Sequence, residues 1–253
     1  KNLKKLNDLL IEKFNSRLQV FKGNPAKIID KIAKQYNVKE VYTNHDYEPY
    51  AIKRDNLIFK NLKNKKIPFY TFKDQVIFEK NEVIKDNGSP YVVFTPYMRK
   101  WKETLKKNYS VLEKNKLSNN FHNLNKYNLK EISEYGFESN ISDVLNFDVS
   151  KKIIEEYEKK RNFPSLNSTS KIGPFLRFGV ISIRSLVRYV LKFKNETFLN
   201  ELIWREFFMQ ILFHFPNSSK SSFKSKYDNI KWVNDKKMFE AWKNGKTGFP
   251  IVD

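Results

Sequence analysis

The chain has 253 residues, 40% hydrophobic and 15% aromatic, enough to build the cores of two ordinary domains and far too apolar for a disordered tail. Its 48 Lys and Arg against 28 Asp and Glu leave a formal net charge of +20, which points to a polyanionic partner, although Lys and Asn are used heavily everywhere and part of that charge can be compositional. The lack of cysteine excludes disulfides, thiol nucleophiles and Cys-ligated zinc, and His45, His122 and His214 lack the paired spacing of a metal site. No run of 18 apolar residues and no charged-then-apolar leader occurs, so neither membrane insertion nor secretion is expected, and the default location is cytoplasmic.

Leu3, Leu6, Leu9, Leu10 and Phe14 share one helical face, predicting a helix over residues 3–14. A strand is expected over Leu18–Phe21. Pro25 opens a second amphipathic helix carrying Ile28, Ile29, Ile32 and Ala33, and Val38–Tyr42 reads as another strand. A helix over 50–64, a strand over Phe69–Phe72 and an apolar stretch at Val76–Phe78 continue the alternation, which predicts a parallel sheet with crossover helices. No G-x-G-x-x-G is present in this half. Residues 103–145, rich in Lys, Asn and Ser, read as a long connector. Beyond it, Ile153–Lys160, Ser182–Phe193, Thr197–Phe213 and Lys237–Trp242 read as helices and nothing alternates like a strand. The expected fold is therefore α/β followed by all-α, divided at 1–102, 103–145 and 146–253.

Three features could carry chemistry. The turn Ser168-Thr169-Ser170-Lys171-Ile172-Gly173-Pro174 sets hydroxyls and free backbone N–H groups where a phosphate would fit, although Thr169 or Ser170 could equally cap the next helix. Phe198, Glu201, Trp204, Arg205 and Phe208 fall within an arc of about 120° on one helix. A carboxylate in an aromatic stripe needs a partner, and a flat indole can stack on a base; the plainer alternative is a Glu201–Arg205 pair at i, i+4. Arg184 and Arg188 lie four apart, on a solvated face or along a phosphate track. Gly245-Lys246-Thr247-Gly248 is not a nucleotide loop, because Glu240 stands where a Walker A motif needs glycine. His214 is expected to be a helix-end residue rather than a ligand.

Five ordered strings resemble the DNA photolyase/cryptochrome family, cyclobutane-dimer type: Tyr42-Thr-Asn-His-Asp-Tyr-Glu-Pro-Tyr-Ala51 with Lys53-Arg54-Asp55, Tyr91-Val-Val-Phe-Thr-Pro-Tyr-Met98, Thr169-Ser-Lys-Ile-Gly-Pro-Phe-Leu-Arg-Phe-Gly179, Asn200-Glu-Leu-Ile-Trp-Arg-Glu-Phe207 and Trp242-Lys-Asn-Gly-Lys-Thr-Gly-Phe-Pro-Ile-Val-Asp253. The resemblance implies an antenna-type Rossmann-like domain lacking its first strand or strands, and the first part of a helical FAD-binding domain. Both ends are then expected to be cut, and this piece alone to be inactive.

The same resemblance implies FAD held by Tyr157, Thr169, Ser170, Lys171, Ile172, Gly173 and Phe198, the last where some relatives carry Trp. It makes Glu201 and Trp204 the catalytic pair, one hydrogen-bonding the damaged bases and the other packing on a flipped pyrimidine dimer. Arg161 and the segment Leu202, Ile203, Trp204, Arg205, Glu206, Phe207 and Phe208 would bind DNA or line the site mouth. Trp232 would match one tryptophan of an electron relay. A second antenna chromophore, a folate or a deazaflavin, is also implied as an option; Tyr50 and Ala51 replace the Asn–Glu pair of folate-binding relatives. The expected partner is damaged DNA, with no membrane and the protein a monomer. The expected activity is light-dependent dimer repair by electron transfer from excited reduced FAD. The alternatives are a cryptochrome photoreceptor, a six-four photolyase, or a basic DNA-binding protein without cofactor.

Overall fold

The computed structural model describes residues 2–112, 120–124, 129–137 and 146–253. Its contacts divide the chain into two compact units, Lys1–Pro216 and Asn217–Asp253, whereas the sequence expectation drew its divisions at 102 and 145. Of the expected connector, residues 103–107 finish a helix, and residues 113–119, 125–128 and 138–145 lie outside the described residues.

The first unit opens with α1 (Asn2–Phe14) and α2 (Pro25–Gln35), followed by β1 (Val41–Asn44), α3 (Pro49–Asn64) and β2 (Phe69–Phe72). α2 starts where the sequence dictates, with Pro25 in the first turn and the Asn24 side chain accepting from the Lys27 N–H at 3.2 Å. β1 and β2 pair in parallel, Val41 against Phe69 and Asn44 against Phe72, with α3 as the crossover. Ala26, Ala33, Ile58 and Leu62 bury a small core between α2, α3 and this pair, joined by Val41 and Phe69.

Three expectations for this region need correcting. Leu18–Phe21 is extended but joins no strand, and the strand expected at Val38 begins at Val41. In α1 the buried residue is Asn7, which accepts from the Leu18 N–H at 3.0 Å, whereas Leu3, Leu6 and Leu9 are exposed. Among the described residues the face is covered only at its end, where Phe14 packs on Phe121 with ring centroids 4.4 Å apart. Val76, Ile77 and Phe78 are buried as expected but form no strand, since their backbone is bound by side chains of a distant helix.

The larger core is built by α4 (Phe94–Lys107), α5 (Lys151–Lys160), the short α6 (Gly173–Arg177), α7 (Ile183–Val190) and α8 (Glu196–His214). Ile77, Phe78 and Val83 join it, so one core runs from residue 77 to residue 207, across the expected connector. α7 turns Ile183, Leu186, Val187 and Val190 inward as its periodicity requires. Arg184 proves to be neither a solvated residue nor a phosphate track: it donates to the Lys73 carbonyl at 2.7 Å and pairs with Asp74 at 3.2 Å. His214 ends α8, with its ring nitrogen 3.0 Å from the Lys80 carbonyl.

The second unit contains α9 (Lys236–Lys243), capped by the Asp235 side chain on the Met238 N–H at 2.8 Å. The Gly245–Gly248 turn is closed by the Asp253 carboxylate, which accepts from the N–H groups of Thr247 and Gly248, both at 2.8 Å. No strand occurs between residues 146 and 253. Among the described residues no helix is long and apolar enough to cross a membrane, and no acidic, His or Cys cluster could hold a metal ion.

Candidate active site

Two helices and one turn bring the expected site residues together. α5 is capped by Ser150 and carries Tyr157 in its third turn, with Arg161 directly after it. The Tyr157 ring packs edge-on against Phe198 of α8 at 5.0 Å, and the Arg161 guanidinium lies over the Tyr157 ring at 5.7 Å. Arg161 also forms an ion pair with Glu201, one helical turn beyond Phe198. Both side chains are about one-third exposed, so the pair sits at a surface open to a ligand. Burial, with the Glu201 charge adding to it, pushes the Tyr157 phenol above its ordinary value. The hydrogen bond to Glu201 holds Arg161 still more firmly protonated.

The Glu201–Arg205 pair is not the arrangement found. Arg205 instead donates to the Gln75 carbonyl at 2.7 Å, and burial lowers its pKa. Trp204 is half-buried and stacks on Phe94 of α4, ring centroids 3.6 Å apart and planes 6° apart. Phe208 lies 5.4 Å away on its other neighbouring turn and is 61% exposed. The α8 surface therefore presents an acidic group, a cation and a flat indole side by side.

The hydroxyl turn follows α5 and is tied to it, Ser168 donating to the Lys160 carbonyl at 2.9 Å. Neither Thr169 nor Ser170 caps α6: the N-cap is Ile172, which makes no side-chain capping bond. Thr169 and Gly173 are exposed, and Lys171 holds the left-handed φ of +51° that turns the chain. Ser168 and Ser170 are buried, so the exposed Thr169 hydroxyl beside the uncapped N–H groups is what suits phosphate oxygens, such as those of the FAD diphosphate.

Several expected assignments change. Leu202, Ile203, Glu206 and Phe207 are buried and cannot touch DNA in this structure; they are core residues of α8. Glu206 is 2% exposed and accepts from the Ile77 and Phe78 N–H groups at 2.6 and 3.1 Å, the Trp101 indole at 2.6 Å and the Tyr97 hydroxyl at 3.3 Å. Burial pushes its carboxyl up, and these four donors bring it back only to about 7. Ile172 and Phe198 also belong to the core, so Ile172 offers a ligand only its backbone and Phe198 supports Tyr157 from behind. Trp232 lies in the second unit, 72% exposed and outside any helix or strand. Phe94, which reasoning from sequence passed over, joins the site through Trp204; the signal was its spacing of three residues from Tyr97 and seven from Trp101.

Family comparisons decide what this arrangement belongs to. Residues 1–116 match the DNA photolyase model, and residues 198–253 match the model for the FAD binding domain of DNA photolyase. The deoxyribodipyrimidine photo-lyase of Alkalihalophilus pseudofirmus is 31% identical over 256 residues, covering 93% of this chain and 53% of its own length. The chain belongs to the DNA photolyase family. It spans about half the length of the curated photolyases it matches. A class III photolyase from Agrobacterium tumefaciens superposes with a TM-score of 0.79 at 23% identity, covering 99% of this chain and 56% of that one, so the photolyase fold is shared. An archaeal photolyase from Sulfolobus tokodaii described with two FAD molecules gives a TM-score of 0.63 at 25% identity, covering 99% and 55%. Tyr157 and the Thr169–Gly173 turn lie between the two family-matched segments, so their assignment rests on the geometry above.

Proposed function

We propose that this chain forms part of a deoxyribodipyrimidine photolyase that repairs cyclobutane pyrimidine dimers in DNA. The observation that carries the reading is the continuous arrangement of Tyr157, Arg161, Glu201 and Trp204 on adjoining turns of α5 and α8. Tyr157, Thr169, Lys171 and the Gly173 backbone would hold FAD, with the buried Ser170, Ile172 and Phe198 shaping the wall behind them. When bound and reduced, FAD supplies the light-driven electron.

The protein side chains do the recognition. A dimer is cheaper to extrude than two intact bases, because its stacking and pairing are already impaired. Trp204 packs against the extruded pair, Glu201 accepts hydrogen bonds from base N–H groups, and Arg161 turns from Glu201 to a phosphate. Arg205 and Phe208 border the mouth. Trp232 is assigned to electron supply. We assign the second, light-gathering chromophore to the cleft at the carboxyl ends of β1 and β2, lined by His45, Tyr47, Phe59, Phe69, Thr71 and Phe213.

The test is an absorbance spectrum of the purified full-length protein followed by blue-light repair of dimer-containing DNA, comparing wild type with Trp204→Ala. Bound flavin with repair that weakens in the variant is the expected result. Flavin without repair would replace this reading with a photoreceptor, and absence of flavin would remove the assignment of Tyr157 and Thr169.

A further inference from the structure

We propose that Phe94 is a positioning residue for Trp204, held in place by Glu206, which keys α4 against α8. The inference rests on the reading of Trp204 as the ring that takes a base. Phe94 and Trp204 are almost parallel at 3.6 Å, closer to a full face-to-face stack than the offset geometry aromatic pairs prefer. Such a pair is held by its surroundings. Phe94, Tyr97 and Trp101 recur at three and four residues along α4 and so share one side of that helix.

Tyr97 and Trp101 both donate to Oε1 of Glu206, at 3.3 and 2.6 Å. Two hydrogen bonds at successive turns of α4, converging on one buried atom, prevent that helix from rolling against α8. Phe94 is carried on the same side and is thereby kept under Trp204. The carboxylate is in turn fixed by the Ile77 and Phe78 N–H groups, and one turn further along Gln210 donates to the Phe78 carbonyl at 2.9 Å. Glu206 follows Trp204 by two positions, which on a helix points the two side chains to nearly opposite sides. The same helix therefore grips the core with one side and displays the indole with the other. Phe94 covers one face of Trp204 and so fixes the plane in which the indole is presented, beside the exposed ring of Phe208.

The experiment measures equilibrium binding of the full chain to a labelled duplex with and without a single thymine dimer, for wild type, Trp204→Ala, Phe94→Leu, Phe94→Met, Phe94→Tyr and Glu206→Gln, each checked for folding by circular dichroism. Phe94→Leu and Phe94→Met should weaken dimer binding by up to about tenfold, the size of one lost aromatic stack, with undamaged-DNA affinity unchanged. Phe94→Tyr, which restores a ring, should keep wild-type preference. Glu206→Gln keeps one amide oxygen and turns its NH2 group toward either the Ile77 N–H or the three donors that meet on Oε1, which loosens the key and should weaken dimer preference in the same direction as Phe94→Leu. Folded Phe94→Leu or Phe94→Met protein that keeps the wild-type preference, while Trp204→Ala loses it, would overturn the proposal alone. Unchanged preference in Trp204→Ala would overturn the role of Trp204 and this proposal with it.

Discussion

Glu206 shows how a single residue can be right in type and misplaced in role. Sequence places it among DNA contacts because it sits in the motif beside Trp204, yet it is wholly internal and anchors four donors. Its position gives a signed pH prediction. The folded-state pKa of about 7 stands above the ordinary 4.5, so over that interval the folded protein retains a proton that the unfolded chain has released. The stability it contributes is full below about pH 4.5 and is lost as pH rises through 7, by on the order of 3 kcal/mol in total. Urea unfolding of wild type and Glu206→Gln across pH 5 to 8 should show this fall in wild type alone. Parallel pH profiles for the two proteins would contradict it. Glu201, five residues earlier in the same motif, is about one-third exposed and has the partner a carboxylate in an aromatic stripe needs, but that partner is Arg161 rather than Arg205. The i, i+4 rule ranks local partners and is blind to a cation arriving from another helix.

At the scale of elements, helices were legible where apolar spacing coincides with a capping residue. α2 and α7 start where Asn24 and Ser182 accept from their first turns, and α7 buries the four residues its period selects. Ile154 of α5 is completely buried, so Ile154→Ala should lower unfolding free energy by about 2–5 kcal/mol in denaturant titration. Asp235→Ala removes the cap of α9 and should destabilise that helix by about 1 kcal/mol, read as faster amide exchange at Met238. Strands were less legible. Leu18–Phe21 has strand composition yet forms no strand, because a strand is completed by another segment and not by its own sequence. Val76–Phe78 looks identical to a buried strand in composition, yet its N–H groups end on a glutamate.

For the whole molecule, the net charge of +20 predicts DNA binding that is driven by phosphate contacts. Affinity for undamaged duplex should fall by more than about tenfold between roughly 50 and 200 mM salt in a binding titration. A flat salt response would remove DNA as the reason for the charge. The family and the α/β-then-helical order were present in the sequence, as were the motifs from which Glu201, Trp204, Tyr157 and the Thr169 turn are proposed as site residues, because ordered motifs and helical periodicity are local properties of the chain. Tertiary structure alone decided that residues 77–83 share a core with α4 to α8, that Arg161 meets Glu201, and that Phe94 backs Trp204. Each of these contacts joins segments separated by tens of residues. Local spacing sets which side chains share a helix face, but only the packing of one helix on another determines what that face meets.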